Sequence, residues 1–407
     1  AVSSAGGSQY SGEYWESFPA GWFGANMYGV ENASQLEAIG RYKIAVLGWQ
    51  HEIWPANFTN ISSPQLDQIG KIKDKHPTLP VFMYLAMGWA PPMWPAIDQL
   101  VHDPSVKKPG GLYYDYFLQT TDEDPTPGPL YTDIFCGGVG ANATRKNCRS
   151  LYWNMANEAA RDYLAEKVVM PLAKDPRHDG VFFDACGFLL QDIPKYNMTN
   201  LPGTDPASKM SAYWNGVMAW QKQLKDLFAP LPVNPATSRP KVPMFSLGQN
   251  EANFFREGFP GRDEWAMVRT LGGKEGWIRY YEGVRGEAPY PALENMIVEA
   301  QLGISVVMHV YLNSLEEDIT THLALFLIAR GDGFYFMAST NWFDDDWRWY
   351  PEYDYDYGRP LGIASKIPLT DSKFGEAVEY RREYTKCQVS LKCKNGTNDC
   401  SGSITFT

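Results

Sequence analysis

Four short segments end on side chains able to do acid–base or nucleophilic work. They are "VFFDACG" ending at Asp184, "SLGQNE" ending at Glu251, "YYEG" at Glu282, and "VMHVYLN" with His309, Tyr311 and Asn313. In the first, Val181, Phe182 and Phe183 run into an aspartate, and the small residues Ala185, Cys186 and Gly187 follow. A carboxylate at the end of a buried apolar run is costly unless it is paired or used. Two carboxyl groups sharing one cavity have a defined use: one protonates a leaving oxygen, and the other attacks carbon or activates water. This points to Asp184 and Glu282 as the reacting pair, with Glu251 as an alternative acid. Amides and aromatic rings beside them would hold ring hydroxyls and apolar sugar faces. The candidates for that task are Asn250, Trp49, Trp89, His309, Tyr311, Tyr281 and Trp342.

Each candidate has a plainer reading. Asp184 could be the buried partner of an arginine, and Glu282 could pair with Arg279 or Arg285. Glu251 could cap the next helix. A histidine inside an apolar strand is more often a hydrogen-bonded core residue than a catalyst. Asp115, Asp344, Asp345 and Asp346 read as solvated loop acids, and "DDDW" lacks the ligand pattern of a calcium loop.

The elements that must position these groups alternate along the chain. Apolar runs at Trp22–Tyr28, Ile44–Trp49, Pro80–Met87, "DGVFF", "PMFSLGQNE", "GWIRYYEG", "SVVMHVYL" and "GFYFMAST" read as eight strands. Helical patterns lie between most of them: "SQLEAIGRY", "SPQLDQIGKIKDKHP" with Ser63 as its cap, "NEAARDYLAEKVVMPLAKD", "ASKMSAYWNGVMAWQKQLKDLF", "ALENMIVEAQLG" and "EEDITTHLALFLIARG". Uniformly apolar strands fit a parallel sheet buried on both faces. A doubly wound sheet would want a glycine-rich phosphate turn after its first strand. "GANMYG" is a poor version of that turn. The expectation is therefore a (β/α)8 TIM barrel over residues 1–360, whose strand ends open into one mouth. A long irregular insertion, about 88–150, follows the third strand. Residues 361–407 alternate polar and apolar and read as a small antiparallel β-domain with a turn at Asn395-Gly396.

The chain has 407 residues and a formal net charge of -11, which argues against a nucleic-acid partner and against a polyanionic substrate. No apolar run reaches 18 residues, so no membrane span is expected. Six Asn-x-Ser/Thr acceptors, at Asn32, Asn57, Asn60, Asn142, Asn197 and Asn395, fall in loop-like segments and point to N-linked glycans on a secreted protein. Six cysteines agree with that compartment. Cys136 with Cys148, and Cys393 with Cys400, are the simplest pairs among several connectivities; Cys186 reads as a free buried thiol. No zinc spacing occurs, and neither a cofactor nor a metal is expected. The 14 Trp and 24 Tyr serve as core anchors or as stacking platforms; Trp49, Trp89, Trp94, Trp342, Trp347 and Trp349 lie in loop-like or strand-end positions.

"DGVFFDACG", "SLGQNE" and "YYEG", with "YDYDYGRPLG" and "YRREYTKCQVSL" in the tail, resemble barrel glycoside hydrolases that carry a small C-terminal β-domain. The pattern is similar to the endo-polygalactosaminidase and α-galactosidase-type barrels. The resemblance implies Asp184 as nucleophile or stabilising carboxylate, Glu282 as general acid/base and Asn250 as a substrate-binding amide. In amylase-type barrels the glutamate after the fifth strand is the acid, which implies Glu251. "ACG" departs from the more polar residues of many relatives. A glycan-binding barrel without catalysis, and a lyase using His309 or Tyr311 as base, are the alternatives from other classes.

Overall fold

The computed structural model describes residues 15, 17–52, 60–122, 127–132, 150–186, 193–246, 266–271, 275–284, 289–341, 348–369, 377–394 and 400–407. Eight parallel strands follow one another in sequence order: β1 (Gly21–Gly24), β2 (Ile44–Leu47), β3 (Val81–Ala86), β4 (Gly180–Asp184), β5 (Val242–Ser246), β6 (Ile278–Tyr281), β7 (Ser305–Tyr311) and β8 (Phe334–Ser339). The ring closes where Ala20 bridges Phe336 and the Phe336 N–H donates to the Pro19 carbonyl at 3.0 Å. This is the expected TIM barrel. Every residue of β1 to β6 is buried, which explains why those strands show no polar face in sequence.

Alternation along each strand separates two environments. The inward set fills the barrel with rings: Phe23 meets Phe182 at 6.1 Å, Phe182 meets Tyr280 at 4.3 Å, and Tyr84 meets Phe182 at 5.6 Å. The outward set packs beneath the helices, as where Phe183 meets Trp220 at 5.3 Å. Gly180 opens β4 because a Cβ there would overlap the Val242 carbonyl of the adjoining strand.

The helices are α1 (Ala33–Ile39), α2 (Ser62–Lys75), α3 (Pro95–Val101), α4 (Glu158–Tyr163), α5 (Pro206–Phe228), α6 (Ala266–Leu271), α7 (Pro289–Leu302) and α8 (Thr320–Ala329). α1 and α5 start on reciprocal capping boxes, Asn32 with Gln35 and Asp205 with Ser208. The cap expected at Ser63 is not used: α2 begins at Ser62, and Ile61 precedes it without a side-chain cap. After α4 the helix widens into a π-helical stretch, Leu164–Val169, just ahead of Pro171, whose missing N–H accounts for the irregular turn.

The insertion after β3 carries small sheets instead of irregular chain alone. Trp89–Ala90 and Tyr131–Thr132 both pair with Ser150–Tyr152, and Gln119–Thr120 pairs with Gly128–Pro129. Cys136 and Cys148 lie outside the described residues.

At the C-terminus β9 (Ser365–Leu369), β10 (Ala377–Glu383), β11 (Cys387–Lys394) and β12 (Cys400–Phe406) form an antiparallel sheet in sequence order, closed by a Cys393–Cys400 disulfide. α8 lies between barrel and sheet, so "LALFLIA" is buried throughout and shows no amphipathic period. Arg382 of β10 donates to the Leu327, Ile328 and Arg330 carbonyls and so caps the end of α8. Cys186 and Cys387 are buried, their thiols donating to the Phe183 and Tyr357 carbonyls.

Candidate active site

β4 delivers Asp184 to the mouth between two fixed ladders. The Met87 N–H donates to the Asp184 carbonyl at 3.0 Å, and the Cys186 N–H donates to the Ser246 carbonyl at 3.0 Å. Phe182 points inward, so Asp184, two residues on, points inward too. Its carboxylate accepts from the Tyr84 hydroxyl at 2.7 Å and from the Ala185 N–H at 2.6 Å. Ala185 adopts φ 58°, a left-handed conformation that turns its N–H back onto the preceding side chain.

β6 delivers Glu282 in the same way. Tyr280 faces inward, and Glu282 follows two residues later. Glu282 accepts from the Tyr311 hydroxyl at 2.7 Å, and the Ser246 hydroxyl lies 3.5 Å from its other oxygen. The next residue is again left-handed, Gly283 with φ 60°; a Cβ there would crowd the Tyr311 ring at 3.3 Å.

Asp184 and Glu282 are 7% and 4% exposed, and Asp184 interacts with both Glu282 and Ser246, whose hydroxyl lies between the two acids' strands. Two interacting buried carboxyl groups favour one shared proton over two charges. Burial pushes Asp184 above the ordinary carboxylate range, against the pull of its bonds from Tyr84, Glu282, Ala185 and Ser246. Burial, reinforced by the neighbouring carboxylates, holds the Tyr84 and Tyr311 hydroxyls well above their usual range, so both remain donors. Asp184 is held by the Tyr84 hydroxyl and the Ala185 N–H, and Glu282 by the Tyr311 hydroxyl.

The other candidates separate by strand face. Tyr311 stands with the pair. Trp49 is half-buried just beyond β2, at the mouth end of the barrel. Trp89 is buried against Tyr152, and Trp94 is buried too, so neither is an open platform. His309 is wholly buried one layer below the pair. Tyr281 is on the opposite face of β6 from Glu282: its hydroxyl donates to Glu299 of α7 at 2.9 Å, and Arg279 lies over its ring. Arg279 shares that outer face, 4.0 Å from Glu299. Trp349 packs on Tyr42 and Tyr353. Glu251, Asn250, Trp342, Trp347, Arg285 and the three acids of "DDDW" lie outside the described residues. Asp115 is exposed, as expected of a solvated acid.

Three members of the site had not been singled out from sequence: Tyr84, Ser246 and Tyr280. Tyr84 is in register with Phe182 and Ser246 with Tyr280, on the face that carries the acids, and that parity was the available signal.

The family model for hypothetical glycosyl hydrolase family 15 matches residues 139–388, a span holding both carboxylates. The chain belongs to that family. It is a glycoside hydrolase by family and a TIM barrel by its own strand order. No curated protein sequence matches it. Among solved structures it is similar to a maltogenic α-amylase, AmyB, from Thermotoga neapolitana, at 10% identity over 93% of this chain and 85% of that one, with a TM-score of 0.41. It is also similar to the cyclic α-maltosyl-(1→6)-maltose hydrolase from Arthrobacter globiformis, at 11% identity over 96% and 92%, with a TM-score of 0.36.

Proposed function

We propose that this glycoside hydrolase cleaves a neutral or weakly charged oligo- or polysaccharide with retention of anomeric configuration, using Asp184 as nucleophile and Glu282 as general acid/base. The observation that carries the reading is that two buried carboxyl groups end β4 and β6 on the inward face of one mouth, Asp184 held by the Tyr84 hydroxyl and Glu282 by the Tyr311 hydroxyl. Inversion needs a water between base and anomeric carbon and a separation of roughly 6.5–9.5 Å; retention needs only about 5–5.5 Å. The interaction between Asp184 and Glu282 favours the shorter, retaining arrangement.

In the first step an Asp184 oxygen attacks the anomeric carbon. The glycosidic C–O bond breaks, and its electron pair takes the proton from Glu282. In the second, the Glu282 carboxylate removes a proton from water, and that oxygen displaces Asp184 from the glycosyl ester. Tyr84 and the Ala185 N–H stabilise the charge returning to Asp184. A net charge of -11 and two acids at the mouth favour a substrate without its own negative charge.

The same reading includes secretion and glycosylation. The acceptors Asn32, Asn60 and Asn197 are exposed, and the Cys393–Cys400 disulfide suits an oxidising compartment. Asn57, Asn142 and Asn395 lie outside the described residues. A lyase reading has less to work with: His309 is out of reach of a sugar, and the Tyr311 hydroxyl donates to Glu282.

The test is reducing-end release over a polysaccharide panel, with wild type beside Asp184→Asn, and proton NMR of the first anomer formed. Retained configuration and an inactive, folded Asp184→Asn are expected. Wild-type turnover in that variant overturns the nucleophile, and an inverted product overturns retention.

A further inference from the structure

Directly beneath the carboxyl pair lies a second inward layer. Phe182 precedes Asp184 by two residues, Tyr280 precedes Glu282 by two, and His309 precedes Tyr311 by two. The His309 ring meets Phe23 at 5.5 Å, Tyr280 at 6.0 Å and Tyr311 at 4.8 Å. It has no exposed surface and cannot touch a substrate.

Its hydrogen bonds have a readable direction. The Ser339 hydroxyl donates to the Asn341 carbonyl at 2.8 Å. Toward His309 Nε2, at 2.7 Å, the same oxygen must therefore accept, so Nε2 carries the hydrogen. Nδ1 is then a bare acceptor, and the Tyr280 hydroxyl donates to it at 2.6 Å. Burial pushes His309 down to about 3, so this one neutral tautomer persists across the working range. The Tyr280 hydrogen is thus committed downward, whereas Tyr84 and Tyr311 donate upward into the pair.

We propose that His309 is a positioning residue: it holds the Tyr280 hydroxyl turned away from Asp184 and Glu282, so that the pair keeps its shared proton. The proposal rests on the reading of those two carboxyl groups as the reacting pair. A third hydroxyl donating into them would stabilise their ionised form and empty the general acid. Turned away, Tyr280 offers the pair only oxygen lone pairs. Among the described residues, the polar and titratable groups around the pair are Tyr84 from β3, Cys186 after β4, Ser246 from β5, Tyr280 from β6 and Tyr311 from β7. Of these, Tyr280 is the one whose hydrogen is held by a histidine.

Infrared titration of the carboxylic-acid C=O band, assigned by its loss in Glu282→Gln, reads the proton without any substrate. In His309→Phe the Tyr280 hydroxyl loses its acceptor and is expected to turn toward the pair, whose charge it already feels, so that the titration midpoint falls by about one pH unit, the size of one added hydrogen bond to a charged acceptor. His309→Gln, which keeps an acceptor for Tyr280, holds the wild-type midpoint. Ser339→Ala is a milder route to the same end: the imidazole loses the partner that fixes its tautomer, and the midpoint falls in the same direction. In a Tyr280→Phe background, His309→Phe moves nothing further. An unmoved midpoint in both His309→Phe and Ser339→Ala overturns the proposal, as does an equal shift in the Tyr280→Phe background. Activity lost with no movement of the midpoint is the signature of a purely structural histidine and overturns it too. Wild-type turnover in Asp184→Asn would instead strike at the reading of the pair, and the positioning role would fall with it. An inactive Asp184→Asn beside an unmoved midpoint in the two variants removes the positioning role alone.

Discussion

One strand carries two buried aspartates, and they are handled in opposite ways. Asp179 stands just before β4, at the closed end of the barrel, and Asp184 ends the same strand at the mouth. Asp179 has a cation: Lys73 lies 2.5 Å away, Thr237 donates at 2.7 Å, and the Val81 N–H donates at 2.9 Å. Asp184 is held by hydroxyls and one N–H, and its nearest titratable neighbours include a second carboxyl group. A buried carboxylate beside an ammonium is a compensated charge, which suits a scaffold. One beside another carboxyl group is divided between two states, which suits proton transfer. The sequence "HDGVFFDACG" shows the two acids alike; their places at opposite ends of the strand separate them.

The comparison breaks most sharply at Asp184. Asp184→Asn is expected to lower turnover by about a thousand-fold or more, since the amide cannot form the glycosyl ester. Its melting temperature should match or exceed that of wild type, because a strained pair becomes a neutral hydrogen bond. Asp179→Ala should do the reverse. It strands the Lys73 ammonium and should cost roughly 3–5 kcal/mol of stability in a denaturant titration. Turnover per folded molecule should stay within a few-fold of wild type. Comparable activity losses in the two variants would erase the distinction.

A smaller effect follows from the direction of the Asp184 shift. Its native pKa is raised, so the folded protein holds a proton that the unfolded chain has already released. Stability contributed by that proton is full below the unfolded value, about 3.9, and is lost as pH rises through the native one. Asp184→Asn has no such proton. Its stability advantage over wild type should therefore widen as pH rises above about 4, by on the order of 1 kcal/mol, read as the difference in melting temperature across a pH series. A constant or narrowing difference would mean that Asp184 is not raised.

The eight strands were legible because burial on both faces leaves long apolar runs, and Asp184 and Glu282 were legible because a charge at the end of such a run has few other uses. Their supporting residues were hidden by the same uniformity. Tyr84 sits inside "VFMYLA", where nothing polar marks its face. Tyr281 was singled out for adjacency to Glu282, yet strand alternation puts Tyr280 on the acid's side and Tyr281 under α7. The Trp-rich insertion invited a surface role, but local sheet pairing buries Trp89. His309 was read as a sugar contact, and depth in the barrel, which sequence position alone does not give, made it part of the layer below.

The finest comparison lies between the two residues that follow the acids. Ala185 and Gly283 share a left-handed φ, 58° and 60°, yet only Gly283 adopts it without strain. An alanine there costs about 1–2 kcal/mol. In return, the turn directs the Ala185 N–H onto its own Asp184 at 2.6 Å. Ala185→Gly relieves the strain but frees the unfolded chain by roughly as much, so stability should change by less than about 1 kcal/mol. The N–H remains, while the bias that aims it weakens. Turnover should fall a few-fold, with most of the loss in kcat, because the bond counts for most when charge returns to Asp184 as the glycosyl ester breaks. Replacing Gly283 by alanine applies the opposite change at the other acid: it adds strain and crowds Tyr311 at 3.3 Å, the ring that holds Glu282. That variant should lose both stability and kcat. A kcat loss in Ala185→Gly larger than in Gly283→Ala would show that the strained turn, more than the tyrosine clamp, sets the geometry of the pair.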